Sequence, residues 1–148
     1  MKLRIETDEN AEETEVVIRC REIDSEVAGI QNAVLTRAAG GAKIRLSKGG
    51  EDFFLRPDEI LFFESEGGRT RAHTAGEVFE TKLRLYELEE ALPRGFLRVS
   101  KSAILNTGRI YSIAKNLTGP SIVSFRGSHK QISVSRQYFS LLSDRLER

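Results

Sequence analysis

The sequence predicts a mainly β protein with α additions (α+β): an antiparallel β domain over residues 46–148 preceded by a small β-β-α unit over residues 1–45. Three observations predict it. From Lys43 onward, short apolar or alternating runs are separated by glycine- and asparagine-containing turns, the pattern of antiparallel strands and their connections. Only the stretches around 23–38, 82–92 and 136–146 carry helical spacing. Charge is divided as well: Met1 to Ile60 holds nine basic and thirteen acidic residues, net −4, whereas Leu61 to Arg148 holds fourteen and nine, net +5. At 148 residues the chain suits one domain with a small accessory, and 39% hydrophobic with 30% charged residues is the composition of a soluble globular protein.

Each element follows from its residues. Lys2 to Glu6 alternates polar and apolar and Glu15 to Cys20 is a short apolar run, so both are expected as strands flanking an acidic loop. Ile23, Val27, Ile30, Val34 and Ala38 recur at steps of four and three, an amphipathic helix that Gly40-Gly41 would end. Lys43 to Ser47 and Asp52 to Arg56 flank Lys48-Gly49-Gly50-Glu51, a hairpin signal that Pro57-Asp58 terminates. Ile60 to Ser65 is a buried strand that turns at Gly67-Gly68 into Arg69 to Thr74, where a period of two puts Arg69, Arg71 and His73 on one face. After Ala75-Gly76 come a strand at Glu77 to Thr81 and a helix over Lys82 to Leu92, stopped by Pro93-Arg94-Gly95. Strands are then expected at Phe96 to Val99, Ala103 to Leu105, Arg109 to Ala114, Ser121 to Arg126 and Gln131 to Val134, and Ser135 is placed to cap a last helix.

Between Ala91 and Ser143 there is no acidic residue, yet Arg94, Arg98, Lys101, Arg109, Lys115, Arg126, Lys130 and Arg136 all lie there. Eight uncompensated cations in a nearly neutral chain point to a polyanionic partner, with plain solvated surface as the rival explanation. The first region behaves oppositely: Glu6 to Glu26 carries nine acids against Arg19 and Arg21 and should be repelled by nucleic acid. Enzymatic chemistry is not expected. The histidines are His73 and His129, no Cys or carboxylate stands at metal-ligand spacing, and no phosphate-cradling glycine motif or GxSxG is present. Neither a cofactor nor a small-molecule substrate is implied. Cys20, the single cysteine, is expected to be a buried small hydrophobe in a reducing compartment. No signal-peptide pattern or run of ~20 apolar residues occurs, which favours the cytoplasm. A phosphorylatable receiver is discounted, since roughly sixty residues are too few for several βαβ units of ~30 each.

Three segments together resemble the LytTR family of bacterial DNA-binding domains. The first is Ile60-Leu61-Phe62-Phe63-Glu64-Ser65 with its glycine turn and Arg69-Thr70-Arg71-Ala72-His73-Thr74. The second, the strongest, is Phe96-Leu97-Arg98-Val99-Ser100-Lys101-Ser102-Ala103-Ile104-Leu105-Asn106 followed by Ile110, and the third is Ile132-Ser133-Val134-Ser135-Arg136. Their order and spacing cover about Ser47 to Glu147, leaving Met1 to Arg45 outside. Ser100 stands where many members have His, and Ala103 where an aromatic is frequent.

The resemblance implies an elongated β fold that binds duplex DNA through loops entering successive major grooves, commonly as two copies on repeated half-sites. Carried onto this chain, it implies that Gly68 to Arg71, including Arg69, Thr70 and Arg71, reaches one groove. Lys101 with Ser102 would reach bases or phosphates, and Arg136 the other groove. The side-chain chemistry agrees, because Arg pairs with guanine O6 and N7 while Lys and Ser suit phosphates. Arg126, His129 and Lys130 flank the Gly127-Ser128 turn, a loop that fits either a backbone clamp or a solvated tip. Arg98 fits a partly buried ion pair and a phosphate contact equally well. Asn106 before Thr107-Gly108 reads as a turn former, and Phe62, Phe63 and Phe125 as core. The expectation is a bacterial transcriptional regulator acting on double-stranded promoter DNA as a homodimer. Its rivals are an RNA-binding β domain, disfavoured by 7% aromatics and no Trp, and a protein-interaction module whose basic face meets an acidic partner such as a membrane-anchored sensor.

Overall fold

A computed structural model describes residues 1–38 and 43–147, which fall into two compact units, Met1–Gly40 and Gly41–Arg148. The first unit holds one regular element, the helix α1 (Ser25–Ala38). Asp24 caps it, its carboxylate accepting the Val27 N–H at 3.0 Å. Val27, Ile30 and Val34 are half-buried, and no α1 residue is fully buried. The strands expected at Lys2 to Glu6 and Glu15 to Cys20 do not form: residues 1–24 contain neither helix nor strand and are exposed throughout. Alternation alone makes no strand, because the backbone groups need a partner ladder, and nine acids between Glu6 and Glu26 oppose compaction. Cys20 is accordingly exposed rather than buried. The helix stop at Gly40-Gly41 lies outside the described residues.

The second unit is a layered β structure. A hairpin of β1 (Ile44–Lys48) and β2 (Glu51–Leu55) is followed by a 3-10 turn at Pro57–Glu59, then β3 (Phe62–Glu66), β4 (Arg69–His73), β5 (Val78–Thr81), α2 (Leu85–Ala91), β6 (Phe96–Ser100) and β7 (Ala103–Asn106). A second 3-10 turn at Thr107–Arg109 leads to β8 (Ile110–Ala114), β9 (Ser121–Phe125), β10 (Gln131–Val134) and α3 (Arg136–Leu146). The expected boundary at residue 45/46 therefore cuts through β1, which pairs with both β2 and β5 and belongs to this unit. Two-residue turns at Gly49-Gly50 and Gly67-Gly68, all at φ between 59° and 80°, close the first two hairpins in a conformation that side chains resist.

All pairings are antiparallel, in a seven-stranded sheet ordered β2-β1-β5-β4-β3-β7-β6 and a three-stranded sheet ordered β10-β9-β8. Strand alternation sends side chains to the two faces of the large sheet and so builds two cores. On one face Phe63, Ala72, Phe79 and Ile104 meet Leu85 and Leu88 of α2. On the other, Phe62, Val99, Ala103 and Leu105 meet Val123, Phe125, Ile132 and Val134 of the small sheet and Leu142 of α3.

Helix α2 begins three residues later than its periodicity predicts. Thr81 Oγ1 accepts the Leu83 N–H at 3.1 Å, and Glu87 reaches back to the Arg84 N–H at 3.2 Å, which makes Arg84 the residue from which the helix departs. Ser135 occupies the N-cap position of α3, but its hydroxyl makes no capping bond and is buried without a partner. Its N–H instead donates to Val99 O at 2.9 Å.

Candidate nucleic-acid interface

Two backbone bonds between elements gather the three family-like segments at one end of the domain. The Ser65 N–H donates to Ser102 O at 2.8 Å, joining the β3–β4 hairpin to the β6–β7 turn. Ser135 N to Val99 O joins that turn to the start of α3. Gly67-Gly68, Lys101 and Arg136 each lie within three residues of one of these bonds.

Lys101 and Ser102 occupy the exposed β6–β7 turn, and Arg136 is exposed at the first position of α3. Among the described residues neither Lys101 nor Arg136 forms an ion pair, so their charge faces solvent uncompensated. The turn beneath Lys101 is braced. Arg98, its side chain 22% exposed, pairs with Glu89 through one guanidinium nitrogen. It donates to Ser100 O at 2.7 Å and Lys101 O at 2.6 Å through the others. Ser100 Oγ accepts the Ser102 N–H at 3.1 Å, so the serine standing where family members often have His closes the turn. Ala103, where an aromatic is frequent, is buried in the core against the small sheet. Of the two roles open to Arg98, the geometry supports the structural ion pair.

The β4 residues divide by parity. Thr70 is 6% exposed and lies on the same face of β4 as buried Ala72, so its hydroxyl, unlike the side chains of Arg69 and Arg71, is not presented to solvent. Arg69 and Arg71 point outward, but into a row of carboxylates. Arg69 lies opposite Glu66 in register and 3.7 Å from Glu80; Arg71 lies between Glu64 and Glu80 and 4.0 Å from Glu66. These exposed pairs contribute little stability, yet three acids against two arginines leave this face without net positive charge. His73, next on the same face, stacks on Phe62 at 4.3 Å. Burial chiefly, with the charges of Lys130 and Arg71 adding, lowers its pKa from 6.5 to about 4. The neutral ring has both nitrogens buried without a hydrogen bond, Nε2 standing 3.7 Å from Glu64.

Arg126, His129 and Lys130 lie at the opposite end of β4. Ser128 Oγ donates to Ala75 O at 2.9 Å and Lys130 Nζ to Glu77 O at 2.7 Å, so the loop is fastened onto the β4–β5 turn. Burial, with Lys48 adding and Glu77 opposing, lowers the Lys130 pKa. Lys130 is thus a structural clasp, whereas Arg126, over the Tyr111 ring at 5.4 Å, and His129 are exposed. Arg109 likewise spends its guanidinium on Asp58 O at 3.0 Å and Arg126 O at 3.2 Å. Asn106, 8% exposed, donates to Ile60 O and accepts from Gly108 N, which makes it a turn former. Three of the eight cations in the acid-free stretch therefore hold the fold together, a division invisible in sequence because their partners lie up to 53 residues away.

Among the described residues no group of three or more His, Cys, Asp or Glu could hold a metal, and no helix is long and apolar enough to cross a membrane.

Comparison with known proteins bears on this arrangement directly. The family model of the LytTr DNA-binding domain matches residues 50–147. An uncharacterized HTH-type transcriptional regulator of Staphylococcus aureus is 29% identical over 147 residues, 99% of this chain and 98% of the relative. Another, from a different strain, is 31% identical over 140 residues, 93% of each chain. These matches run through the N-terminal unit as well, beyond the family segment. Despite the relatives' helix-turn-helix label, consecutive α-helices among the described residues are separated by five strands, β1 to β5 between α1 and α2 and β6 to β10 between α2 and α3. The solved LytTr DNA-binding domain from Bacillus cereus superposes with a TM-score of 0.67 at 21% identity, covering 74% of this chain and all of that one, which shows the shared fold. The match from β2 through α3, together with the near full-length relatives, establishes that the chain belongs to the LytTr DNA-binding domain family.

Proposed function

We propose that this chain is a sequence-specific, duplex-DNA-binding transcriptional regulator that contacts promoter DNA with the end of the domain formed by the β3–β4 tip, the β6–β7 turn and the start of α3. The observation that supports the reading is the pair of backbone bonds that tie the turn carrying Lys101 to β3 and the residue before Arg136 to β6, with neither cation in an ion pair among the described residues. From Arg69 through β3, β7 and β6 to Arg136 is four strand spacings, about 19 Å. That is wider than the ~12 Å major groove and short of the ~34 Å between successive major grooves, so the two ends reach successive grooves only with their long arginine side chains extended along the duplex. Lys101, between them, meets the intervening phosphates, and Ser102 supports it with a hydroxyl. Arg136 reads a base edge. Arg69 and Arg71 contribute directed hydrogen bonds more than net charge, because Glu64, Glu66 and Glu80 offset them. Arg126 and His129 lie at the far end of the domain and contact the DNA backbone only where the duplex bends towards them.

The functional unit is a homodimer on repeated half-sites. The acidic N-terminal unit takes no part in DNA contact and serves dimer formation or signal input, for which a membrane-anchored sensor is one source. Binding of the full chain to its own upstream duplex, measured across salt concentrations, tests the reading. Several phosphate contacts make log K fall with log[salt] by about 0.9 per contact. A flat response would refute it and favour a protein-interaction module; tighter binding to pyrimidine-run RNA than to duplex would favour the RNA reading.

A further inference from the structure

The outward face of the β3–β4–β5 tip carries its charges in rows. Glu66 lies opposite Arg69, Glu64 opposite Arg71, and Arg71 in turn opposite Glu80. Behind them on the same face, Phe62 and His73 stack and lead into the core beneath the small sheet. Glu80 meets both arginines: it faces Arg71 across the β4–β5 ladder and stands 3.7 Å from the Arg69 guanidinium. Its backbone is held on the far side, where the Glu80 carbonyl accepts from Ser47 Oγ at 3.3 Å. We propose that Glu80, with Glu66, is a specificity-determining residue that opposes contact of Arg69 and Arg71 with phosphates while permitting their contact with base edges. The inference rests on the DNA reading of this tip.

Two distances support it. The Arg69–Glu80 and Arg71–Glu66 contacts, at 3.7 and 4.0 Å, are longer than a hydrogen bond. The carboxylates therefore offset the guanidinium charges without occupying their N–H donors, which stay open to a further acceptor. The Arg69 and Glu80 side chains are 69% and 50% exposed, so their pairing contributes little stability and its effect falls on whatever approaches. A guanine edge offers such a donor fork two neutral acceptors, O6 and N7. A phosphate instead brings a full negative charge to about 6 Å from the neighbouring carboxylate, and the repulsion of two like charges at that distance in water weakens binding about threefold. Lys101, which has no ion pair among the described residues, attracts any duplex. The screened arginines favour a duplex that presents acceptors where their donors point.

Competition binding of the full chain to its own upstream duplex and to an unrelated duplex of equal length tests this, read as the ratio of the two affinities at fixed salt. Circular dichroism confirms the fold of each variant. Glu80→Gln removes the charge but keeps the size and an acceptor oxygen. It should tighten binding to the unrelated duplex about threefold while leaving the upstream duplex nearly unchanged, and Glu66→Gln/Glu80→Gln should lower the ratio about tenfold. Glu90→Gln removes the same charge from exposed Glu90 of α2, which packs on the other face of the sheet, and should leave the ratio as it is. An unchanged ratio in the double variant, or an equal fall with Glu90→Gln, would overturn the proposal. A fall arising only from weaker binding to the upstream duplex would overturn it too and make Glu80 a base contact. A wild type that binds neither duplex, or both alike, would instead refute the underlying DNA reading, and the proposal would go with it.

Discussion

Replacing Arg98 by Ala tests whether the centre of the strongest family-like segment touches DNA or holds up the turn that carries Lys101. The structure assigns it three bonds: to Glu89, to Ser100 O at 2.7 Å and to Lys101 O at 2.6 Å. The Glu89 pair is partly exposed and adds little. The two charge-assisted bonds to backbone carbonyls would be worth ~3–6 kcal/mol together if fully buried. With the side chain 22% exposed and both carbonyls free to rehydrate, ~2–3 kcal/mol is the expected loss. For a unit of this size that lowers Tm by about 10–15 °C. Duplex affinity should fall as well, because the turn carrying Lys101 loses its brace. The slope of log K against log[salt], however, should match the wild type, since no phosphate contact has been deleted. Thermal denaturation and salt-dependent binding of the same variant read both quantities. A variant that melts like the wild type, with a slope shallower by about 0.9, would refute the bracing role and make Arg98 a phosphate contact.

Lys101→Ala should flatten the salt slope by about 0.9 and leave Tm within a degree or two, as expected for an exposed phosphate ligand. Arg136→Ala should cost about 1–3 kcal/mol on the preferred duplex and less on an unrelated one, measurable by competition binding. Asn106→Ala should destabilise by about 2–4 kcal/mol in urea unfolding with an unchanged salt slope, because it strands the buried Ile60 carbonyl and the Gly108 N–H. For His73, whose folded pKa of about 4 lies below the ordinary 6.5, the fold favours the neutral ring. Its contribution is therefore complete above pH 6.5 and declines as pH falls from there towards 4. By pH 5 the loss should amount to at most about 2 kcal/mol. The loss appears as the wild-type stability minus that of His73→Phe across the acid series; parallel curves for the two proteins would contradict it.

Much of the β domain was legible because its signals are local. Gly49-Gly50 and Gly67-Gly68 mark two hairpins, and the runs at Phe96, Ala103 and Gln131 each give their strand to within a residue. The N-terminal strands failed for the converse reason: Leu3, Ile5, Val16 and Val17 carry the pattern of a strand but find no ladder to join, and all four stay exposed. Thr70 could have been set apart from Arg69 and Arg71 by the same period of two that placed the arginines together. What local pattern could not reveal was which cations remain free. Glu66 and Glu80 reach the β4 arginines through cross-strand register, Glu89 reaches Arg98 from another element, and Lys130 finds the Glu77 carbonyl across 53 residues. Residue type and spacing nominated the cations; non-local pairing separated those that brace the fold from those without an ion-pair partner among the described residues.

Strand β7 is buried along its whole length, sending Ala103 and Leu105 into one core and Ile104 into the other. Opening it requires both cores to come apart at once, so its amides, with those of β3 beside it, should exchange with solvent only through global unfolding. The turn carrying Lys101 is the immediate N-terminal extension of that strand. Its ordering is accomplished when the chain folds, so binding at this turn should carry a small conformational-entropy penalty and leave the slowest-exchanging amides of the domain where they already are.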